Sequence, residues 1–236
     1  LPSACVDPDP AAYLSSYVAT YLTEEVQQEG LTRNLAAFSR FTEIVTFSQA
    51  QVLTMAEVAR ECMVSPKVVQ DYFTILEDLL LAVRLPVFSR KAKRKLIGHP
   101  KFFLFDTGVF QALRPRGPLD PSSEIEGAAL ETLFFQCLRA LNDYYQHEYQ
   151  IYYWRTQSQE EVDFVLYGPR GIVAFEIKHN SRMRTEELSS LLLFKSDYPS
   201  ARCYLVNLGR ESYPEKEINV IPFEKCLQEL PRILAG

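Results

Sequence analysis

The chain has 236 residues, of which 47% are hydrophobic, 12% aromatic and 23% charged. It can bury a sizeable core as one large or two small domains, which excludes a disordered tail. A net charge of −5 denies it the basic balance of many nucleic-acid binders, although a local basic patch would serve that purpose.

No apolar run approaches the roughly 18 residues needed to cross a membrane, so no membrane partner is expected. No charged-then-apolar leader is read at the start either. Leu1 in place of Met, with Pro2, Pro8 and Pro10 close behind, leads us to expect a linker over 1–10 in a piece of a longer protein. The cysteines (Cys5, Cys62, Cys137, Cys203, Cys226) are scattered and never in a C-x-x-C pair. That spacing argues against a zinc cage or disulfide framework and for a reduced, cytoplasmic setting.

Tyr13, Leu14, Tyr17, Val18, Tyr21, Leu22 and Val26 recur at helical spacing, which predicts a helix from Ala11 to Gln28, stopped by Gly30. A second helix is expected from about Thr32 to Gln49, with Leu35, Phe38, Phe41 and Val45 on one stripe. Thr54-Met-Ala-Glu57 has the spacing of a capping box for a short helix. Ser65 then caps a longer helix with Pro66 at its first position, where a missing N–H costs nothing. Short helix, tight turn and longer helix make a helix-turn-helix outline, with Ala82–Phe88 and Phe102–Phe105 as the strands of a wing. Residues 11–117 are thus expected to form a helical winged-helix domain.

Arg84, Arg90, Lys91, Lys93, Arg94, Lys95 and Lys101 lie in and around that wing, with no acid from Arg84 to Lys101. Arg90, Lys91, Lys93, Arg94 and Lys95 suit phosphate contacts, and Lys67 and Gln70 could present to a groove. An ordinary solvated wing has the same composition. In Asp106-Thr107-Gly108 the aspartate is expected to cap the next helix at the end of a strand.

Gly117, Pro118, Pro121 and Ser122 mark a boundary, so 118–236 is expected to be a second domain. Ser123-Glu-Ile-Glu126 opens a helix to about Tyr145, followed by strands at Gln150–Thr156, Val162–Tyr167 and Ile172–Lys178. A helix over Thr185–Lys195 and a strand over Arg202–Leu208 complete an α-β-β-β-α-β order. Ile218–Ile221 reads as an edge strand before a last helix near Glu224–Ile233. Tyr152, Tyr153 and Trp154 are read as core, and the three histidines have no ligand spacing.

Gly168-Pro169-Arg170-Gly171 is a turn between two strand-like runs, so Tyr167 is predicted to face Ile172 and Asp163 to face Glu176. Opposed side chains have Cβ atoms ~5 Å apart, and two like charges there destabilise a sheet. Alternation puts Lys178 on the face of Glu176. A divalent cation would relieve the repulsion, and oxygen ligands suit Mg²⁺ or Mn²⁺. Glu131, on an apolar helix surface with Phe134, Phe135 and Leu138, offers a third carboxylate. The competing reading pairs Asp163 and Glu176 with Arg155 or Lys178 in an ordinary ion network.

Glu131, Asp163 and Glu176-Ile-Lys178 on this framework resemble the PD-(D/E)xK nuclease superfamily. More closely, the chain from Tyr13 onward resembles the C-terminal region of prokaryotic AAA-type ATPases that carry a domain of unknown function. Tyr17-Val-Ala-Thr-Tyr-Leu, Leu79–Arg90, Pro100–Gly108, Gly127-Ala-Ala-Leu-Glu131, Tyr153-Trp-Arg-Thr156 and Glu161-Val-Asp-Phe164 carry that resemblance. It implies metal-assisted phosphodiester hydrolysis, with Asp163, Glu176 and Glu131 holding the cation and Lys178 orienting or activating water. DNA is the implied nucleic acid, and ATP would act only through an ATPase domain outside this chain, which has no G-x-x-x-x-G-K-[ST] loop. The alternative is a non-catalytic DNA- or protein-binding module that regulates the ATPase, and an oligomer is compatible with either. The superfamily includes silent members, and a Gln-x-x-x-Tyr helix motif found in some active ones is absent from Thr185–Tyr198.

Overall fold

A computed structural model describes residues 2–22, 24, 34–90, 96, 98–118 and 120–236. The chain forms two compact units, residues 1–84 with 102–132 and residues 85–101 with 133–236.

The first unit opens with short helices α1 (Pro2–Val6) and α2 (Pro10–Ser16), the latter continuing as a π-helical turn over Tyr17–Leu22. Asp9 caps α2 by accepting from the Ala12 N–H at 3.0 Å. The predicted helix runs on into 23 and 25–28, and the next one starts at 32, all outside the described residues. Helix α3 (Leu35–Val45) begins where Asn34 Oδ1 accepts the Ala37 N–H at 3.0 Å. It gives way to a 3-10 turn at Thr46–Ser48, short of the predicted end at Gln49.

Helix α4 (Met55–Cys62) starts at Thr54 as expected, but the capping box does not form. The Glu57 N–H goes instead to the Thr54 carbonyl at 3.0 Å. Met63 ends α4 in the left-handed conformation, and α5 (Pro66–Asp78) follows with Ser65 as its cap. Lys67 and Gln70 are exposed on α5. Strands β1 (Gln51–Val52), β2 (Ala82–Leu85) and β3 (Lys101–Leu104) form a sheet in the order β1-β3-β2. Helix α6 (Thr107–Leu113) is capped by Asp106, whose Oδ1 accepts the Val109 N–H at 2.9 Å, as its sequence position suggests.

Phe38 and Phe41 of α3, Tyr72 and Phe73 of α5 and Phe102 of β3 fill the core, with Phe41–Phe73 centroids 4.9 Å apart. Each such side chain contributes roughly 1.5–3 kcal/mol by burial. The predicted wing strand does not reach Phe88. Pro86 has no N–H to give a ladder, and the chain leaves the first unit at Leu85. The Pro86 carbonyl and Phe88 N–H pair instead with Tyr153 in the second unit.

Helix α7 (Ser122–Tyr144) starts one residue before the expected cap, and the division between units falls within it after Thr132. In the second unit it is followed by β4 (Gln150–Arg155), β5 (Glu161–Gly168), β6 (Gly171–Ile177), α8 (Ser189–Asp197) and β7 (Arg202–Asn207). Strands β8 (Tyr213–Glu215) and β9 (Ile218–Pro222) and helix α9 (Phe223–Ala235) complete it. The sheet order is β4-β5-β6-β7-β9-β8, with β6, β7 and β9 parallel. This is the α-β-β-β-α-β arrangement, with one correction. Strand β9 is not the edge, because β8 pairs on its outer side.

Leu191 and Phe194 of α8 pack with Trp154, Ala174, Cys203 and Leu205 of the sheet. Phe134 and Phe135 of α7 both meet Phe164, and Phe134 also meets Phe175, at a centroid distance of 5.1 Å, and Phe223 of α9. Tyr153 and Trp154 are buried as expected, whereas Tyr152, read as core with them, is only half-buried. No helix among the described residues is long and apolar enough to cross a membrane.

None of the described cysteines is in a disulfide. Burial pushes Cys62 up to about 11 and Cys203 and Cys226 up to about 12. At pH 8 a thiol reagent should therefore label exposed Cys5 first. Cys62, Cys203 and Cys226 should react only after denaturation, which peptide mass spectrometry would check.

Candidate active site

The hairpin of β5 and β6 turns through Pro169 and Arg170, with Gly168 paired to Gly171 and Tyr167 to Ile172, the predicted register. Gly171 has φ +103°, and a Cβ on Gly168 would come within 2.8 Å of the Tyr149 ring, so both positions need glycine. The ladder runs to Phe164–Phe175. One step beyond, Asp163 Oδ2 takes the Ile177 N–H at 2.9 Å, a carboxylate serving where a strand carbonyl otherwise would.

Asp163 and Glu176 are each 6% exposed. Lys178, on the face of Glu176 as expected, donates to Glu176 Oε1 at 2.7 Å. Glu176 Oε2 is buried with no hydrogen-bond partner.

A residue read only as part of the basic run completes the cluster. Lys101 is 1% exposed, and its Nζ lies 2.9 Å from Asp163 Oδ1 and 2.7 Å from Glu161 Oε1. Arg155 Nη1 reaches Glu161 Oε2 at 3.0 Å. Before Lys101 in the chain, Val87 bridges Tyr153, Leu96 bridges Thr156 and the Tyr153 hydroxyl donates to the His99 carbonyl. The sequence signal of Lys101 is a lone lysine beginning an apolar strand, Lys101-Phe-Phe-Leu. Its partners lie some sixty positions away, so no local pattern reveals them.

These contacts set the two carboxylates apart. Burial works to raise the Asp163 pKa, but Lys101, Lys178 and the Ile177 N–H outweigh it and hold Asp163 below the ordinary range. Burial, and then the Asp163 charge, drive Glu176 well above that range against the pull of Lys178. Asp163 is the ionised member and Glu176 the one that favours its proton.

Glu131 belongs to the first unit, where with Gln49, Phe47 and Arg114 it lines a cavity of about 210 Å³. Among the described residues, no group of three or more His, Cys, Asp and Glu side chains is set to hold a metal ion. Arg90 is exposed and lies over the Tyr167 ring at 4.7 Å. Lys91, Lys93, Arg94 and Lys95 lie outside the described residues.

The fold and this cluster define a two-unit α+β protein, a helical winged-helix unit and an αβββαβ unit with buried charges at a hairpin end. The chain belongs to the family described as "Domain of unknown function (DUF8612)", whose model matches residues 3–120, half of its length. Residues 126–226 match a second family model, "Domain of unknown function (DUF4143)". The chain is 28% identical over 225 residues to uncharacterized proteins of Mycobacterium bovis and Mycobacterium tuberculosis. The match covers 93% of this chain, which spans about half the length of those relatives, 49%.

The opposite shifts predict opposite variants. The lowered Asp163 pKa contributes stability that is complete above the unfolded value near ~3.9 and is lost as pH falls through the folded value. Asp163→Asn should therefore destabilise at pH 7 by roughly 3 kcal/mol or more, by a margin that shrinks in acid. The raised Glu176 pKa costs stability as pH rises through it, so Glu176→Gln should stabilise at pH 7 and become neutral in acid. Urea denaturation at pH 7 distinguishes these signs; at pH 4 the Glu176→Gln gain should fade, whereas the Asp163→Asn loss should shrink only below the unfolded value near ~3.9.

Proposed function

We propose that the second unit is a metal-dependent phosphodiester-cleaving module acting on DNA, cytoplasmic, and carried on the C-terminal side of an AAA-type ATPase. The observation that carries this reading is the Glu176 carboxylate, buried beside Asp163 with Oε2 lacking a partner. An apolar residue would be cheaper in that place unless a cation uses the oxygen. The donor set fits a hard divalent ion, because Asp163 and Glu176 present only oxygens, and Mg²⁺ or Mn²⁺ would be held by these two side chains. When bound, such an ion supplies polarisation of the phosphate and a lowered pKa for water. Lys178, about one-third exposed, is placed to orient water or to neutralise charge developing on the phosphate. Lys67 and Gln70 on the exposed side of α5 are proposed to contact DNA.

One observation favours the non-catalytic alternative, a DNA- or protein-binding module regulating the ATPase. Lys101 already neutralises Asp163.

Cleavage of single- and double-stranded DNA and RNA with Mg²⁺ or Mn²⁺ tests the choice. DNA cleavage should require metal and fall by about 100-fold or more in Asp163→Ala and Lys178→Ala. Equal activity in all three proteins, or none with either metal, would overturn the nuclease reading. In that case, DNA binding that weakens steeply with salt would support the DNA-binding module instead.

A further inference from the structure

The geometry points to Lys101 as the second unit's own counter-cation, an ammonium that a divalent ion must displace to reach Asp163. This inference rests on the metal-site reading above. Glu161 and Asp163 are two residues apart on β5 and share a face. The Lys101 Nζ spans them at 2.7 and 2.9 Å. The other Asp163 oxygen is engaged by the Ile177 N–H, so both oxygens already accept a hydrogen bond.

An incoming cation would have to share one of them. Its charge would then stand beside a buried ammonium, where solvent screens repulsion poorly. Lys101 cannot relieve this by partial solvation in place, being 1% exposed.

Glu161 supplies the way out. It is the more exposed of the two acceptors, at 24% of its side chain against 8% for Asp163. A lysine stem is long and flexible, so Lys101 can release Asp163 while keeping Glu161. The metal-free and metal-bound arrangements then differ by one ammonium swing. Without metal the lysine keeps Asp163 compensated; with metal it retires to Glu161 and toward solvent.

Two measurements on this chain test the swing, neither of them an activity. Amine-reactive labelling, read by peptide mass spectrometry, should find Lys101 protected in metal-free wild type and labelled at saturating Mn²⁺. Mn²⁺ titration followed by electron paramagnetic resonance should show Lys101→Met binding about tenfold tighter than wild type or more, with binding lost in Asp163→Asn. If Lys101 stays protected while Mn²⁺ binds in an Asp163-dependent way, the swing is wrong and the metal site stands. Folded Lys101→Met that binds no tighter than wild type also overturns the swing and leaves the metal site in place. If neither wild type nor Lys101→Met binds Mn²⁺, the metal reading falls and takes the swing with it. Should Lys101→Met fail to fold, wild-type labelling decides the question alone.

Discussion

The second unit depends on what is done with the two oxygens of Asp163. One holds the β6 backbone through the Ile177 N–H and the other holds Lys101 at the start of β3. A single buried carboxylate thus joins a hairpin to a stretch of chain some sixty residues earlier. Replacing an acceptor in the strand ladder with a side chain ends the regular pairing at Phe164–Phe175. It also leaves Glu176 at a place where the sheet no longer dictates what its side chain must do.

Three basic side chains, Arg155, Lys101 and Lys178, face three acidic ones, Glu161, Asp163 and Glu176, of which Glu176 favours its neutral form. Matching numbers are not the same as stability. Taking several ions out of water costs free energy that their attraction repays only with full hydrogen bonding, and well-packed apolar residues often do as well. Here the bonding is incomplete, since Glu176 Oε2 and Arg155 Nε are buried without partners. Packing alone would not select such an arrangement over the Val, Ile and Phe that fill the rest of β5 and β6. Perturbed carboxylates gather at functional sites and in structural ion networks alike, and the unsatisfied oxygen of Glu176 is what a purely structural network would not need.

Features carried by neighbouring residues are legible in the sequence. The hairpin register follows from Gly168-Pro-Arg-Gly171, the α6 cap from Asp106, and the helix-turn-helix outline from Ser65-Pro66 and the α5 apolar stripe. Long-range placement is not. Lys101 reads as one more member of a basic wing because its partners, Glu161 and Asp163, come from a strand that the sequence reaches only after two intervening helices. Strand β9 reads as an edge because three-residue β8 has too little pattern to announce itself. The wing strand reads too long because apolar residues continue through Phe88, whereas that ring packs with Tyr152, Phe194 and Tyr198.

The net charge of −5 carries little information about this protein, because its decisive charges are buried and paired. What matters is the asymmetry between two carboxylates at one end of the hairpin. Asp163 is surrounded by donors and ionises readily; Glu176 has Lys178 at one oxygen and no donor at the other, and resists ionisation. Two equivalent ionised carboxylates would repel each other and two protonated ones would offer a cation little. One of each is stable as it stands, and it changes character as soon as positive charge arrives near Glu176. On the proposed metal reading, such a pair stays folded without an ion and still has an oxygen of Glu176 with which to answer one.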